Sequence, residues 1–231
     1  MAEKEDDEPE SYYRWGAPMS EEAWLSSGDP IAMLNHLKAD PAARKSLLVV
    51  LAYLERIWDM SVPGPIRDWA DQVRLLVDGR GDRAAFEACE TEACHYLAGW
   101  NPYYLRQGIS PAATVALDAL FFFAQAPEDA WEPIGRSSAE GLAEYAVQAD
   151  LVREVFGNPS RPVTVEPAWL TPGVQALARR IDAEQRFDLM PALGDALEEA
   201  GCRNSTVLVH CRKTGVHARG CWVVDSLLGR T

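Results

Sequence analysis

Five side chains near the C-terminus are of the types that ligate metals or act as nucleophile and base: Cys202, His210, Cys211, His217 and Cys221. Zinc takes four sulfur and nitrogen ligands in a tetrahedron. His210 and His217 flank a turn, and Cys221 opens the next predicted helix, so His210, His217, Cys211 and Cys221 can converge on one ion. The set lacks the C-x-x-C pair that anchors many such sites. Cysteine also packs readily as a small hydrophobe. Cys211 falls on an apolar helical face and Cys202 follows Gly201, a natural helix-terminating residue. Buried core cysteines beside a hydrogen-bonded histidine, with no cofactor, are therefore the expectation, and a zinc-stabilised module is the alternative.

A second chemistry is nucleophilic. Cys221 lies near a predicted helix N-terminus, where the dipole lowers a thiol pKa, and His217 stands four residues upstream as a base. Trp222 and Val223 follow directly, however, and no third group is visible. A Cys–His enzyme is the second alternative, and no catalytic residue is assigned. Arg161, His217, Arg219 and Trp222 are the candidate recognition surface, since interfaces favour Trp and Arg. Cys89, Cys94 and His95 share one predicted helix, and Cys89 lies with Phe86 and Leu97 on its core face. The chain has no P-loop, dinucleotide fingerprint, nucleophile elbow or H-E-x-x-H.

The elements that must hold these residues are helices. Asp29-Pro30, Asp40-Pro41, Ser110-Pro111 and Thr171-Pro172 each place a capping oxygen before a proline at the first helical position. From Pro41 to Met60, Leu47, Leu48, Leu51, Leu54, Ile57 and Trp58 recur at helical spacing, giving one apolar face. Further helices are expected over Pro65–Val77, Asp82–Trp100 and Pro111–Ala124, the last greasy all round through Phe121, Phe122 and Phe123. A Pro- and Gly-rich loop, Gln125 to Arg136, reads as the domain boundary. Beyond it come Ser138–Val155, Pro172–Ala183, Leu189–Ala200, a helix capped by Asn204 or Ser205, and Gly220–Leu228. Val163-Thr164-Val165 is the only extended segment, too short for a sheet.

Three dense signatures stand in the C-terminal third: Phe156-Gly157-Asn158-Pro159-Ser160-Arg161-Pro162, Pro167-Ala168-Trp169-Leu170-Thr171, and His217-Ala218-Arg219-Gly220-Cys221-Trp222-Val223-Val224-Asp225. Together with Glu22-Ala23-Trp24-Leu25, Asp29-Pro30, Met33-Leu34 and Glu55-Arg56-Ile57-Trp58, they resemble a helical bacterial family expanded in planctomycetes. The likeness covers about half of the 231 residues. It implies a helical C-terminal module and brings no activity with it. The helix that is Cys-rich in that family reads Leu47-Leu48-Val49-Val50-Leu51-Ala52-Tyr53 here, so no role of those cysteines transfers. Residues 60–140 also depart from the family's alanine-rich middle.

Composition bounds the rest. A net charge of −13 argues against general nucleic-acid binding, which needs clustered Lys and Arg. No run approaches the roughly 18 apolar residues of a membrane span, the acidic start does not read as a signal peptide, and five cysteines form no disulfide pattern, so a reduced cytoplasmic protein is expected. The sequence thus predicts an all-α protein: an acidic, disordered segment over 1–18, an N-terminal helical bundle over 19–130, and a smaller C-terminal helical module over 138–231. Its expected role is a non-enzymatic interaction or adaptor module of a bacterial assembly, with another protein as partner.

Overall fold

The structure is a computed structural model, and it describes residues 18–38, 43–57, 64–98 and 139–230. The acidic start, the Asp40-Pro41 and Ser110-Pro111 caps, the Phe121–Phe123 helix and the expected boundary loop lie outside the described residues. Among the described residues there are ten α-helices and no strand, so the all-α architecture stands. Val163–Val165 forms no sheet. No helix is long and apolar enough to cross a membrane among them.

Local chemistry starts these helices where a cap stands. Ser20 caps α1 (Glu21–Ser26), and Asp29 accepts from the N–H groups of Ile31 and Ala32 ahead of Pro30 in α2 (Pro30–Leu37). Next come α3 (Arg44–Ile57), α4 (Gly64–Val77) and α5 (Arg83–Ala98). Asp82 accepts from Ala85 N–H at the start of α5. Then α6 (Ala139–Phe156) ends at Gly157, whose φ of +72° suits a residue without a side chain. A 3₁₀ turn at Pro167–Trp169 leads to Thr171, which caps α7 (Pro172–Glu184). A second turn, Phe187–Leu189, feeds α8 (Met190–Glu199). Asn204 caps α9 (Ser205–Arg212), and α10 (Trp222–Leu227) closes the described chain.

The hydrophobic interior divides into two clusters. The first joins Trp24, Met33 and Leu34 to α3, to Ile66, Trp69 and Val73 of α4, and to Phe86 of α5. It also takes Ala149, Leu151, Val152 and Val155 of α6. The second holds Trp169, Val174, Ile181, Leu193, Leu197, Cys211, Cys221 and Val224. Thus α6, expected in the C-terminal module, contributes its apolar face to the N-terminal core, and the change of core falls at Gly157. The physical reason is that α6 packs along α2 and α3. Helix α3 also differs from its expected single apolar face: residues 46–54 are all buried, because α3 lies between α4, α6 and the 218–220 turn. Leu142, expected inward, is 57% exposed.

Polar bonds join the two cores. Trp24 Nε1 donates to the Gly157 carbonyl at 3.1 Å. Arg153 donates to the carbonyls of Trp24 and Ser27, satisfying the end of α1. Arg44 pairs with buried Asp225 at 2.5 Å, and Arg219 pairs with Asp78. Glu21 receives Asn158 Nδ2 at 2.9 Å and Arg161 Nε at 2.7 Å.

Candidate functional site

Glu154 is the side chain around which the polar interior is arranged. It lies near the C-terminal end of α6, and its carboxylate is fully buried. Oε1 lies 2.9 Å from His217 Nδ1. Oε2 lies 3.5 Å from His210 Nε2 and 3.3 Å from Lys213 Nζ, contacts without hydrogen-bond geometry. His210 Nε2 is in turn 3.1 Å from Cys221 Sγ. One ligating atom from each of Glu154, His210, His217 and Cys221 falls within 4.8 Å of all the others. The four come from four places: α6, the last turn of α9, the turn after it, and the N-cap of α10.

Backbone chemistry explains the convergence. Asn204 starts α9 so that Val207, His210 and Cys211 face inward. Gly194 of α8 lets α9 come close: a Cβ there would stand 3.0 Å from Cys211 Cβ. Gly220, at φ +86°, turns the chain against α3, where a Cβ would meet Leu48 Cδ1 at 2.6 Å. That turn delivers Cys221 to the start of α10.

The protonation of the cluster follows from its donors. Trp222 Nε1 can only donate, and it lies 3.1 Å from His210 Nδ1. In the neutral ring the His210 proton therefore sits on Nε2, facing Cys221 and Glu154. Burial pulls the His210 pKa down, against the pull of Glu154 upward. Burial pushes the Glu154 carboxyl up, but the closeness of the His210 ring and the hydrogen bond and charge from His217 outweigh it and hold the carboxyl at about 2. The Cys221 thiol is driven well above its ordinary value by burial first and by the Glu154 charge second.

No family model, curated protein or solved structure matches this chain.

The structure sorts the residues singled out in the sequence. His210, His217 and Cys221 do meet. Cys211 and Cys202 do not join them: both are fully buried in the second apolar cluster, and burial pushes the Cys211 thiol up to about 12. Glu154 takes the place expected for Cys211. Sequence reasoning misses it because a lone acid in an apolar helix reads as a solvated position; its only signal is its place three residues after Leu151, on a buried face. Two observations bear on the nucleophile expectation. Cys221 is 1% exposed, and burial and Glu154 push its thiol well above its ordinary pKa, the opposite of what an activated nucleophile needs.

The expected recognition surface also separates. The His217 side chain is 7% exposed inside the cluster, and Arg219 is turned inward onto Asp78. Arg161 and Trp222 remain together, both lining a groove of about 190 Å³. Lys45, Phe156, Pro159, Pro162 and Thr206 are among the other residues that line it. The Lys45 ammonium stands 5.9 Å over the Phe156 ring. Burial pulls its pKa down, Asp225 pulls it back up, and Arg44 lowers it further. Among the described residues Lys45 has no hydrogen bond or ion pair. Arg161 is 73% exposed and gives only its Nε to Glu21.

Proposed function

We propose that this chain is a non-enzymatic interaction module that docks an acidic segment of a partner protein in the groove between the 157–162 loop and Trp222. The observation that carries it is Lys45: a half-buried ammonium with no hydrogen bond or ion pair among the described residues, set beside Phe156, with Arg161 in the same lining. A desolvated cation is stabilised by a carboxylate brought to it, more so than an exposed one. The groove is cationic on a protein whose net charge is −13, so an acidic peptide is drawn to this place and repelled elsewhere. About 190 Å³ takes one or two side chains. Proline and glycine stiffen or shape one wall, and the indole and phenyl rings offer flat apolar area at low entropic cost. The expected ligand is therefore a short run of Asp or Glu beside one apolar or aromatic residue.

Selection of a random peptide library against the folded protein tests this. Acidic peptides with one aromatic or apolar position should be enriched, and the enrichment should vanish with Lys45→Met and fall with Arg161→Gln. Enrichment of neutral or basic peptides, retention by Lys45→Met, or no enrichment at all would each overturn the reading. A variant lacking residues 1–17, whose sequence is itself acidic and aromatic, is the control. Markedly tighter peptide binding by that variant would assign the groove to the chain's own start instead of a partner.

A further inference from the structure

We infer that Glu154, His210, His217 and Cys221 form a structural binding site for one divalent transition-metal ion, zinc by the chemistry of its donors. This site is separate from the groove and does not depend on what the groove binds.

The donor set is the first reason. One thiol, two imidazoles and one carboxylate match the sulfur, nitrogen and oxygen ligands that zinc accepts in four-coordinate sites. Calcium and magnesium prefer all-oxygen shells. Geometry is the second. Zinc bonds of about 2.0–2.3 Å set tetrahedral ligand-to-ligand edges of about 3.3–3.6 Å. The distances of 2.9, 3.1 and 3.5 Å found here already lie near those edges, and no pair exceeds 4.8 Å.

Unmet polar demand is the third reason. Glu154 Oε2 is buried and lacks a hydrogen bond among the described residues. A fully buried carboxylate is costly unless its charge is balanced. Here its neighbours are two rings and Lys213, which is 37% exposed. A dication with one carboxylate and one thiolate makes the centre neutral.

The protons balance. In the metal-free arrangement His210 carries its proton on Nε2, His217 keeps its proton on Nδ1 and donates a hydrogen bond to the Glu154 carboxylate, and Cys221 is a thiol. On binding, each imidazole moves its proton to the nitrogen facing away from the ion, and the thiol proton is released to solvent. The ion gains Cys221 Sγ, His210 Nε2, His217 Nδ1 and a Glu154 oxygen. His210 Nδ1 then bears hydrogen, so it no longer accepts from Trp222, and the indole N–H must find another partner. His217 also lines a surface depression of about 460 Å³ with Phe187, Lys213 and Val216, which gives the ion a way in.

The architecture gives the ion a task. Glu154 extends from the helix packed in the first core, while Cys221 belongs to the second and His210 stands on a helix of that second core. A bound ion ties the two cores directly, at the point where the chain passes between them.

Metal analysis of untagged protein purified without chelator is the first test, with cobalt(II) added to the stripped protein as the spectroscopic probe. The expected results are one zinc per chain and, with cobalt, a thiolate charge-transfer band with strong four-coordinate visible bands. Cys221→Ser should lose the charge-transfer band, and Glu154→Gln and His217→Ala should weaken cobalt binding by more than about 100-fold. Cys211→Ser should keep both metal and spectrum, because that sulfur lies outside the cluster. Stripping the metal should lower Tm by about 10 °C. Trp222 emission should change on loading, with the change absent in Trp222→Phe. A folded wild-type protein that holds no zinc and gives no cobalt spectrum overturns the proposal, and so does a spectrum that persists in Cys221→Ser.

Discussion

Replacing Gly220 by alanine tests the link between the site and the N-terminal core. Gly220 lies immediately before Cys221 at φ +86° and rests on Leu48 of α3, which is fully buried. An alanine Cβ would stand 2.6 Å from Leu48 Cδ1 and 3.2 Å from its Cβ and Cγ. Two penalties add. The left-handed backbone costs a non-glycine residue about 1 kcal/mol. Overpacking of a filled core costs about 1–3 kcal/mol more. The sum, about 2–4 kcal/mol, lowers Tm by about 4–16 °C for a domain of this size. Gly229→Ala isolates the first part: its φ is +70°, but nothing lies within 4 Å of the added Cβ, so it should cost about 1 kcal/mol alone. Gly28→Ala, with open space and an ordinary backbone, should be near neutral. Denaturant unfolding of the three variants, plus Leu48→Ala and the Leu48→Ala/Gly220→Ala pair, separates the steric part. The double variant should be less destabilised than the sum of the singles by about 1 kcal/mol or more, since truncating Leu48 opens the space that the new methyl group needs. Additive singles, or a Gly220→Ala cost no larger than that of Gly229→Ala, would refute packing of this turn on α3.

Two further outcomes follow from single contacts. Trp24→Phe keeps most of the buried ring but removes the indole donor to the Gly157 carbonyl; it should cost about 1–2 kcal/mol in equilibrium unfolding, and no measurable loss would mean that this bond does not tie α1 to the 157–162 loop. Iodoacetamide at mildly alkaline pH should alkylate Cys89, which is half-buried, well before Cys221, whose thiol is enclosed and driven above its ordinary pKa, so rapid native modification of Cys221 seen by peptide mapping would restore the nucleophile reading.

Caps and prolines mark helix starts in the sequence because they act over one turn. Asp29 and Thr171 both cap where the Asp-Pro and Thr-Pro pairs place them, and Asn204 opens α9. Gly201 ends α8 at φ +92°, as a residue without a side chain can. The inward positions Ile66, Trp69, Val73, Leu193 and Leu197 are legible from helical spacing. What spacing does not give is the environment on the far side of a helix. α3 reads as one-faced, yet a third neighbour, the 218–220 turn, covers its remaining side. Trp222 reads as either core or surface and is both: half-buried, its ring against Gly157 and its N–H on His210.

The candidate site divides the same way. The sequence by itself determined that the chain would be helical, where most helices begin and end, and that His210, His217 and Cys221 stand close enough along the chain to meet. The tertiary structure decided that Cys211 turns into the apolar core while Glu154, 56 residues before His210, completes the cluster. It also drew His217 into the cluster and Arg219 onto Asp78, and left Arg161 and Trp222 lining one groove with Lys45. The physical reason is range. Capping and periodicity act within one or two turns, whereas the partner of a buried charge is fixed by which helix faces pack together, and that depends on every buried side chain at once.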